Sequence, residues 1–266
     1  MQTVQLWKEV PGMSQHVPVL DCYIPENKTS DIAVVILPGG GYSGRAPHEG
    51  LGYAEFLNAH GICAFVCQYR VKPHSFPLPL LDARRAIRYV RHHSEEFGIN
   101  KKKVYLMGSS AGGHLTALTS TYTAPIEFEN LDEIDEESGR PDGQILCYPV
   151  ISLCDESITH LGSAKNLLGE AYPQGVEALS PERIAEEGTP KAFIWHTFAD
   201  AGVNVINSLE YAKRLRTLNV PVEMHIYPYG RHGLGLAPQD PHVAQWSEQL
   251  LRWLQLNEDV EKEALQ

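Results

Sequence analysis

At 266 residues, with 43% hydrophobic and 21% charged residues, the chain has the material for one sizeable core and not the make-up of a disordered protein. A formal net charge of -11, with the 22 Lys and Arg residues scattered rather than gathered into a stripe, excludes nucleic acid as an expected partner. No apolar run is long enough to span a bilayer, and the opening MQTVQLWKEVPGM lacks the basic and apolar regions of a signal peptide, so no membrane partner is expected and the chain is placed in the cytoplasm.

In chain order, VPVLDCYIP (17–25) alternates like an antiparallel edge strand, and IAVVILP (32–38) is a β-branched run of the kind buried on both faces. HEGLGYAEFLNAHG (48–61) has helical spacing, ICAFVCQYR (62–70) is a second buried strand, and LLDARRAIRYVRHHSEEFG (80–98) is a helix ending at a glycine. KVYLMG (103–108) predicts a strand running straight into the helix AGGHLTALTSTY (111–122). The stretch 122–143 contains EFENLDEIDEE, which lacks the spacing and turn glycine of a calcium loop and reads as a solvated loop. Further strands follow at QILCYPV (144–150), KAFIWH (191–196) and VEMHIYP (222–228), all read as buried on both faces. The helices SLEYAKRLRTLN (208–219) and DPHVAQWSEQLLRWLQL (240–256) complete the pattern, with 257–266 a frayed polar tail.

Alternating strands and helices imply an α/β fold: a mostly parallel central sheet with helices on both faces, in a single domain over 1–266. The Ser-, Gly- and Pro-rich stretch 151–190 breaks this rhythm and is expected to form a loop and short helix over the site. The five cysteines, Cys22, Cys63, Cys67, Cys147 and Cys154, form an odd set without a C-x-x-C pair and are expected as free thiols, several of them buried.

The turn between 103–108 and 111–122 reads GSSAGG, a G-x-S-x-G elbow in the strand-to-helix context that mechanism requires. Small residues two positions away on either side select Ser110, flanked by Gly108 and Gly112; centring on Ser109 would put Met107 and Ala111 there. A serine nucleophile needs donors for the oxyanion and a base. GGGYSG (39–44) follows a strand end, so backbone N–H groups at Gly39, Gly40 and Gly41 can approach a substrate oxygen, joined by the N–H of Ala111. Among the 12 histidines, His232 in YPYGRHGLG lies on the loop after the last strand and is the expected base. Asp200 in FIWHTFADAGV lies after the preceding strand and is placed to hold the imidazole. Ser, Asp, His is the chain order of an α/β hydrolase. His196 is expected to support that loop, and His114 to be packed in the nucleophile helix.

The chain resembles, over nearly its whole length, the small α/β-hydrolase esterases related to bacterial acetyl-xylan and feruloyl esterases, often labelled xylanase-like or sugar hydrolases. The resemblance is carried in order by LPGGGY (37–42), HEG (48–50), QYR (68–70), PLLDARRAIRYVR (79–91), MGSSAGGHL (107–115), RPDGQILCYPVIS (140–152), KNLLGE (165–170), WHTFADAGV (195–203) and YGRHGLGLA (229–237). It implies an α/β-hydrolase fold without a large cap domain, a triad of Ser110, Asp200 and His232, and an oxyanion hole at Gly40, Gly41 and Ala111. Relatives commonly read D-P-x-V-P after the acid, whereas this chain has DAGVN, which predicts a looser loop around Asp200. Asp82 and Asp142 match recurrent family positions and are assigned structural roles.

The expected activity is hydrolysis of short acyl esters, acetyl above all, of carbohydrates such as acetylated xylo-oligosaccharides, with no cofactor or metal. Tyr42, beside the oxyanion loop, is expected to contact the substrate. Two other readings stand beside it: a serine peptidase of the prolyl-oligopeptidase kind, for which the chain is short, and a non-catalytic binding protein on the same fold, which predicts a broken triad. The oligomeric state is not legible in the sequence.

Overall fold

The computed structural model describes residues 2–13, 16–127 and 132–264. Among these residues, eight strands form one sheet: β1 (Gln2–Gln5), β2 (Val19–Tyr23), β3 (Ala33–Leu37), β4 (Cys63–Cys67), β5 (Val104–Ser109), β6 (Gly143–Cys147), β7 (Lys191–Thr197) and β8 (Val222–Tyr227). Their spatial order is β1-β2-β4-β3-β5-β6-β7-β8. The first two pairings are antiparallel and all the others parallel. The α-helices of the described residues are, in chain order, α1 (Pro47–Ala59), α2 (Leu78–His92), α3 (Ser94–Phe97), α4 (Ala111–Thr121), α5 (Leu161–Leu168), α6 (Pro181–Ile184), α7 (Ile206–Thr217) and α8 (Gln245–Ala264). Proline in the first turn of α1, α2 and α6 sets the helical φ where no N–H bond is lost.

The period of the strands decides what covers each face. Ala33, Val35 and Leu37 of β3 pack with α2 and α4, whereas Val34 and Ile36 pack with α1 and α8 through Tyr53, Leu57, Trp246 and Leu250. A third cluster joins Leu146, Ala192 and Ile194 to Tyr211 and Leu215 of α7. This two-faced burial is why the central strands read as continuous apolar runs.

Several expectations need correction. β8 lies at the sheet edge and is half-exposed over most of its length, so VEMHIYP is not buried on both faces. The polar QTVQ of β1 pairs with β2 although its composition gives little strand signal. The helix expected over 80–98 breaks after His92, and the short α3 is closed by Gly98 at φ 61. The last helix continues to Ala264, into the stretch read as a frayed tail, whose final residues 265–266 lie outside the described residues.

The acidic stretch is also not a plain solvated loop. Residues 128–131 of it lie outside the described residues, but beyond them Asp132 and Asp135 hold the buried Arg85 guanidinium at 2.6 and 2.9 Å. The charge run therefore clamps α2, and Arg85 also lies over the Trp7 ring at 4.8 Å. Asp82 and Asp142 have the structural roles assigned to them. Asp82 accepts both arms of the buried Arg70 fork at 2.8 and 2.7 Å and the Trp7 indole N–H at 3.0 Å. Asp142 accepts from the Val104 N–H at 2.8 Å and from Arg91 at 3.0 Å.

Candidate functional site

β5 ends at Ser109 and α4 begins at Ala111, so Ser110 alone makes the turn, at φ 53 and ψ -118. For a residue with a Cβ this backbone costs on the order of 1–3 kcal/mol. Bonds on both sides over-determine it: the Ser110 N–H donates to the Cys147 carbonyl at 3.0 Å, and the Ser110 carbonyl accepts from His114 and Val150, each at 3.0 Å. A methyl at Gly108 would overlap the Gly112 carbonyl, and one at Gly112 would overlap that of Leu37, so the strand and helix meet only because both are glycine. Ser109 points the other way, fully buried, with its hydroxyl 2.9 Å from the Tyr53 hydroxyl.

The structure brings Ser110, His232 and Asp200 together. His232 Nε2 lies 2.8 Å from Ser110 Oγ, and His232 Nδ1 lies 2.7 Å from Asp200 Oδ2. A carboxylate oxygen only accepts, so Nδ1 carries the proton and Nε2 presents its lone pair to the serine hydroxyl. Gly202 sits beneath the ring, where an added Cβ would come 2.8 Å from His232 Cβ.

Asp200 is firmly held despite the altered loop after it. Its Oδ1 accepts the N–H groups of Gly202 and Val203 at 2.8 and 2.9 Å, and Oδ2 also faces His196 Nε2 at 3.2 Å. Burial pushes the Asp200 carboxyl up, but the hydrogen bonds from His196, His232 and the Val203 N–H outweigh it and hold the group well below the ordinary carboxylate range. The looseness predicted from the missing prolines is answered by these bonds. Asn204 replaces the second proline with a side-chain turn, its Oδ1 accepting the Ile206 N–H at 3.0 Å.

His196 is fully buried and supports the loop, as expected for it. Its Nε2 faces two acceptors, the Asp200 carboxylate and the Val203 carbonyl at 3.0 Å, so Nε2 is protonated and Nδ1 accepts the Ser208 hydroxyl at 2.8 Å.

Gly40 at φ 140 and Gly41 at φ 63 curl the 39–44 loop against the elbow, and a Cβ at Gly39 would come 2.9 Å from Ser110 Cβ. Among the described residues, the Gly40 and Gly41 N–H groups have no acceptor at hydrogen-bond distance, and Ala111 stands at the first position of α4, where the N–H has no partner within the helix. Tyr42 is a correction. Its side chain is fully buried and its hydroxyl donates to His114 Nδ1 at 2.8 Å, while His114 Nε2 donates to the Leu179 carbonyl at 2.8 Å. The left-handed backbone of Tyr42, at φ 58, turns the ring inward, so it packs the loop from behind and does not meet a substrate.

Three contributors to the site escaped the sequence reading. Glu49, buried at the start of α1, accepts the Gly39 N–H at 2.8 Å and the Tyr148 hydroxyl at 2.7 Å. Tyr148 receives the Gly235 N–H at 2.9 Å and sets its ring edge-on to His232. Asn166 on α5 donates to the Gly41 carbonyl at 2.8 Å, tying the 151–190 segment to the 39–44 glycine loop. HEG and KNLLGE were visible as motifs, but nothing along the chain says which partners such polar residues find.

A mostly parallel sheet, a serine at a strained strand-to-helix elbow, and an acid and histidine on the loops after β7 and β8 define the α/β-hydrolase class. Within that class the BD-FAE family model matches residues 20–215, and the chain belongs to this family. It is 37% identical over 238 residues to endo-1,4-beta-xylanase B of Butyrivibrio fibrisolvens, covering 87% of this chain and 36% of that protein. It is 36% identical over 239 residues to an acetylxylan esterase of Xylanibacter ruminicola, covering 88% of this chain and 47% of that protein. The chain thus spans less than half the length of these two relatives. Among solved structures, the acetyl ester-xyloside bifunctional hydrolase of Caldicellulosiruptor lactoaceticus superposes with a TM-score of 0.90 at 41% identity, covering 97% of this chain and 96% of that one. Among the described residues, no helix is long and apolar enough to cross a membrane.

Proposed function

We propose that this chain is a serine carboxylesterase that removes acetyl groups from acetylated carbohydrates such as xylo-oligosaccharides. The observation that carries the reading is the continuous line from Asp200 through His232 to Ser110 Oγ, with contacts of 2.7 and 2.8 Å. Ser110 Oγ attacks the ester carbonyl as His232 Nε2 takes its proton, and the imidazolium that forms is stabilised by Asp200. The oxyanion of the tetrahedral intermediate is received by the N–H groups of Gly40, Gly41 and Ala111. Collapse breaks the bond to the sugar oxygen, which takes the proton from His232. Water, deprotonated by the same imidazole, then releases acetate from Ser110. The names of the acetylxylan esterase and the acetyl ester-xyloside hydrolase support acetyl as the acyl group and a xylose-containing alcohol.

All five cysteines are unpaired, which suits a reducing compartment, and we place the activity in the cytoplasm on smaller saccharides rather than on polymer. The test is Ser110→Ala assayed on 4-nitrophenyl acetate, with a fluorophosphonate probe as a second readout. The expected result is a fall in kcat on the order of 10⁶-fold and loss of labelling. Surviving activity would sink the assignment of Ser110.

A further inference from the structure

His160 stands just before α5, and its imidazole serves that helix first. Nδ1 accepts the Ser163 N–H at 3.2 Å and lies 2.8 Å from the Ser163 hydroxyl. A nitrogen accepting a backbone N–H has no hydrogen of its own, so the neutral ring carries its proton on Nε2. Burial lowers the pKa of His160, and the nearby His232 lowers it further against the opposite pull of Asp200. Nε2–H is therefore a neutral donor whose direction the helix cap dictates. Among the described residues, no acceptor for it is present at hydrogen-bond distance.

The ring lies where such a donor is useful. An added Cβ on Gly41 would come 3.8 Å from His160 Cε1, the carbon next to Nε2. Asn166, further along α5, is bonded to the carbonyl of the same glycine. His160 thus borders the loop to which we assign the acyl oxyanion. An acetyl group offers one strong acceptor, its carbonyl oxygen, and the backbone N–H groups take it. A further donor at that rim matches the alcohol half of a saccharide ester, which carries hydroxyl oxygens beside the esterified carbon.

We propose that His160 Nε2–H is a substrate-positioning donor that binds a hydroxyl oxygen next to the ester of an acetylated saccharide and so selects which sugar alcohol leaves. This rests on the esterase reading given above. The group touches no reacting atom, and it binds ground and transition states alike, so its loss raises KM more than it lowers kcat.

Two substitutions separate this role from capping. His160→Asn keeps an oxygen near the position of Nδ1, a strong N-cap, and removes the far donor. His160→Gln places an amide N–H near the position of Nε2 and loses the cap. Acetylated xylobiose and 4-nitrophenyl acetate are the paired substrates, since the second has no hydroxyl beside its ester.

For His160→Asn, the expected result is a loss of about tenfold in kcat/KM on acetylated xylobiose, mainly through KM, with the nitrophenyl ester and the Tm unchanged. His160→Gln should recover much of the saccharide activity at a lower Tm. If His160→Asn treats both substrates as the wild type does, or loses both in parallel, the positioning role is overturned while the esterase reading stands. A wild-type protein inert toward both substrates overturns the esterase reading and this proposal with it.

Discussion

The Tyr148 hydroxyl donates to Glu49 Oε1 at 2.7 Å, and the same tyrosine ring stands edge-on to His232 with centroids 5.1 Å apart. Since Glu49 Oε2 receives the Gly39 N–H, one buried carboxylate braces both the glycine loop and the ring behind the histidine. Glutamine has a single acceptor oxygen, so Glu49→Gln leaves one of the two donors facing an amide NH₂. The expected cost is about 1–3 kcal/mol of stability, read as a lower urea midpoint, together with a fall in kcat at nearly constant KM. A variant with the wild-type midpoint and kcat would refute the bracing role.

Gly202 offers a gentler way to move the His232 imidazole. A methyl there would sit 2.8 Å from His232 Cβ, on a surface-exposed turn whose collapse does not threaten the core. Gly202→Ala should therefore leave the Tm close to wild type while displacing the imidazole. A misplacement near 1 Å corresponds to roughly 10²-fold in kcat, measurable on 4-nitrophenyl acetate.

Asp200 links the site to acid stability. Its carboxyl is held below its ordinary value of 3.8, so the folded protein binds the proton less readily than the unfolded chain does. The contribution is present above about pH 4 and is lost as pH falls through the depressed folded value. Asp200→Asn should flatten this limb: urea midpoints measured from pH 5 down to pH 2.5 should decline less steeply than in the wild type. The same variant should lose on the order of 10⁴-fold in kcat at neutral pH.

His114 acts with the same sign, in a higher pH window. Burial pushes it down from 6.5 to about 4, and its Nε2–H is bonded to the Leu179 carbonyl. The neutral form is favoured in the folded state, so stability falls as pH drops from about 6.5 to about 4 and is insensitive to this group below that. The full effect is on the order of 3 kcal/mol. His114→Gln retains a donor for Leu179 and cannot titrate. Its urea midpoint should change less than that of the wild type between pH 7.5 and pH 4.5, and equal slopes would remove His114 from the account.

Much of the frame was legible because period and burial act locally. The alternation of β-branched runs with helical spacing located the strands from β2 to β8, and the demand for small neighbours at a tight elbow picked Ser110 over Ser109. Ser109 is indeed turned into the interior, against Tyr53. The chain order of Ser110, Asp200 and His232 followed from which loops leave the same sheet edge. Tyr42 was misread because proximity along the chain to a glycine loop does not say which way a ring turns, and its positive φ sends it to His114. Asp132 and Asp135 looked like a solvated run because Arg85, their partner, is some 50 positions away along the chain.

The sequence by itself determined the layered fold, the strained serine and the kinds of group that could serve it, since those depend on local sterics and on periodicities of two and 3.6 residues. Only the tertiary structure decided what holds those groups in place: His196 and two backbone N–H groups on Asp200, Glu49 and Tyr148 behind the histidine, and Asn166 of α5 on the glycine loop. Hydrogen bonds are short-ranged and directional: those of Glu49 with Tyr148 and of Asn166 with Gly41 join segments that only the folded sheet brings together, and those around Asp200 depend on the turn that its own loop takes at the end of β7.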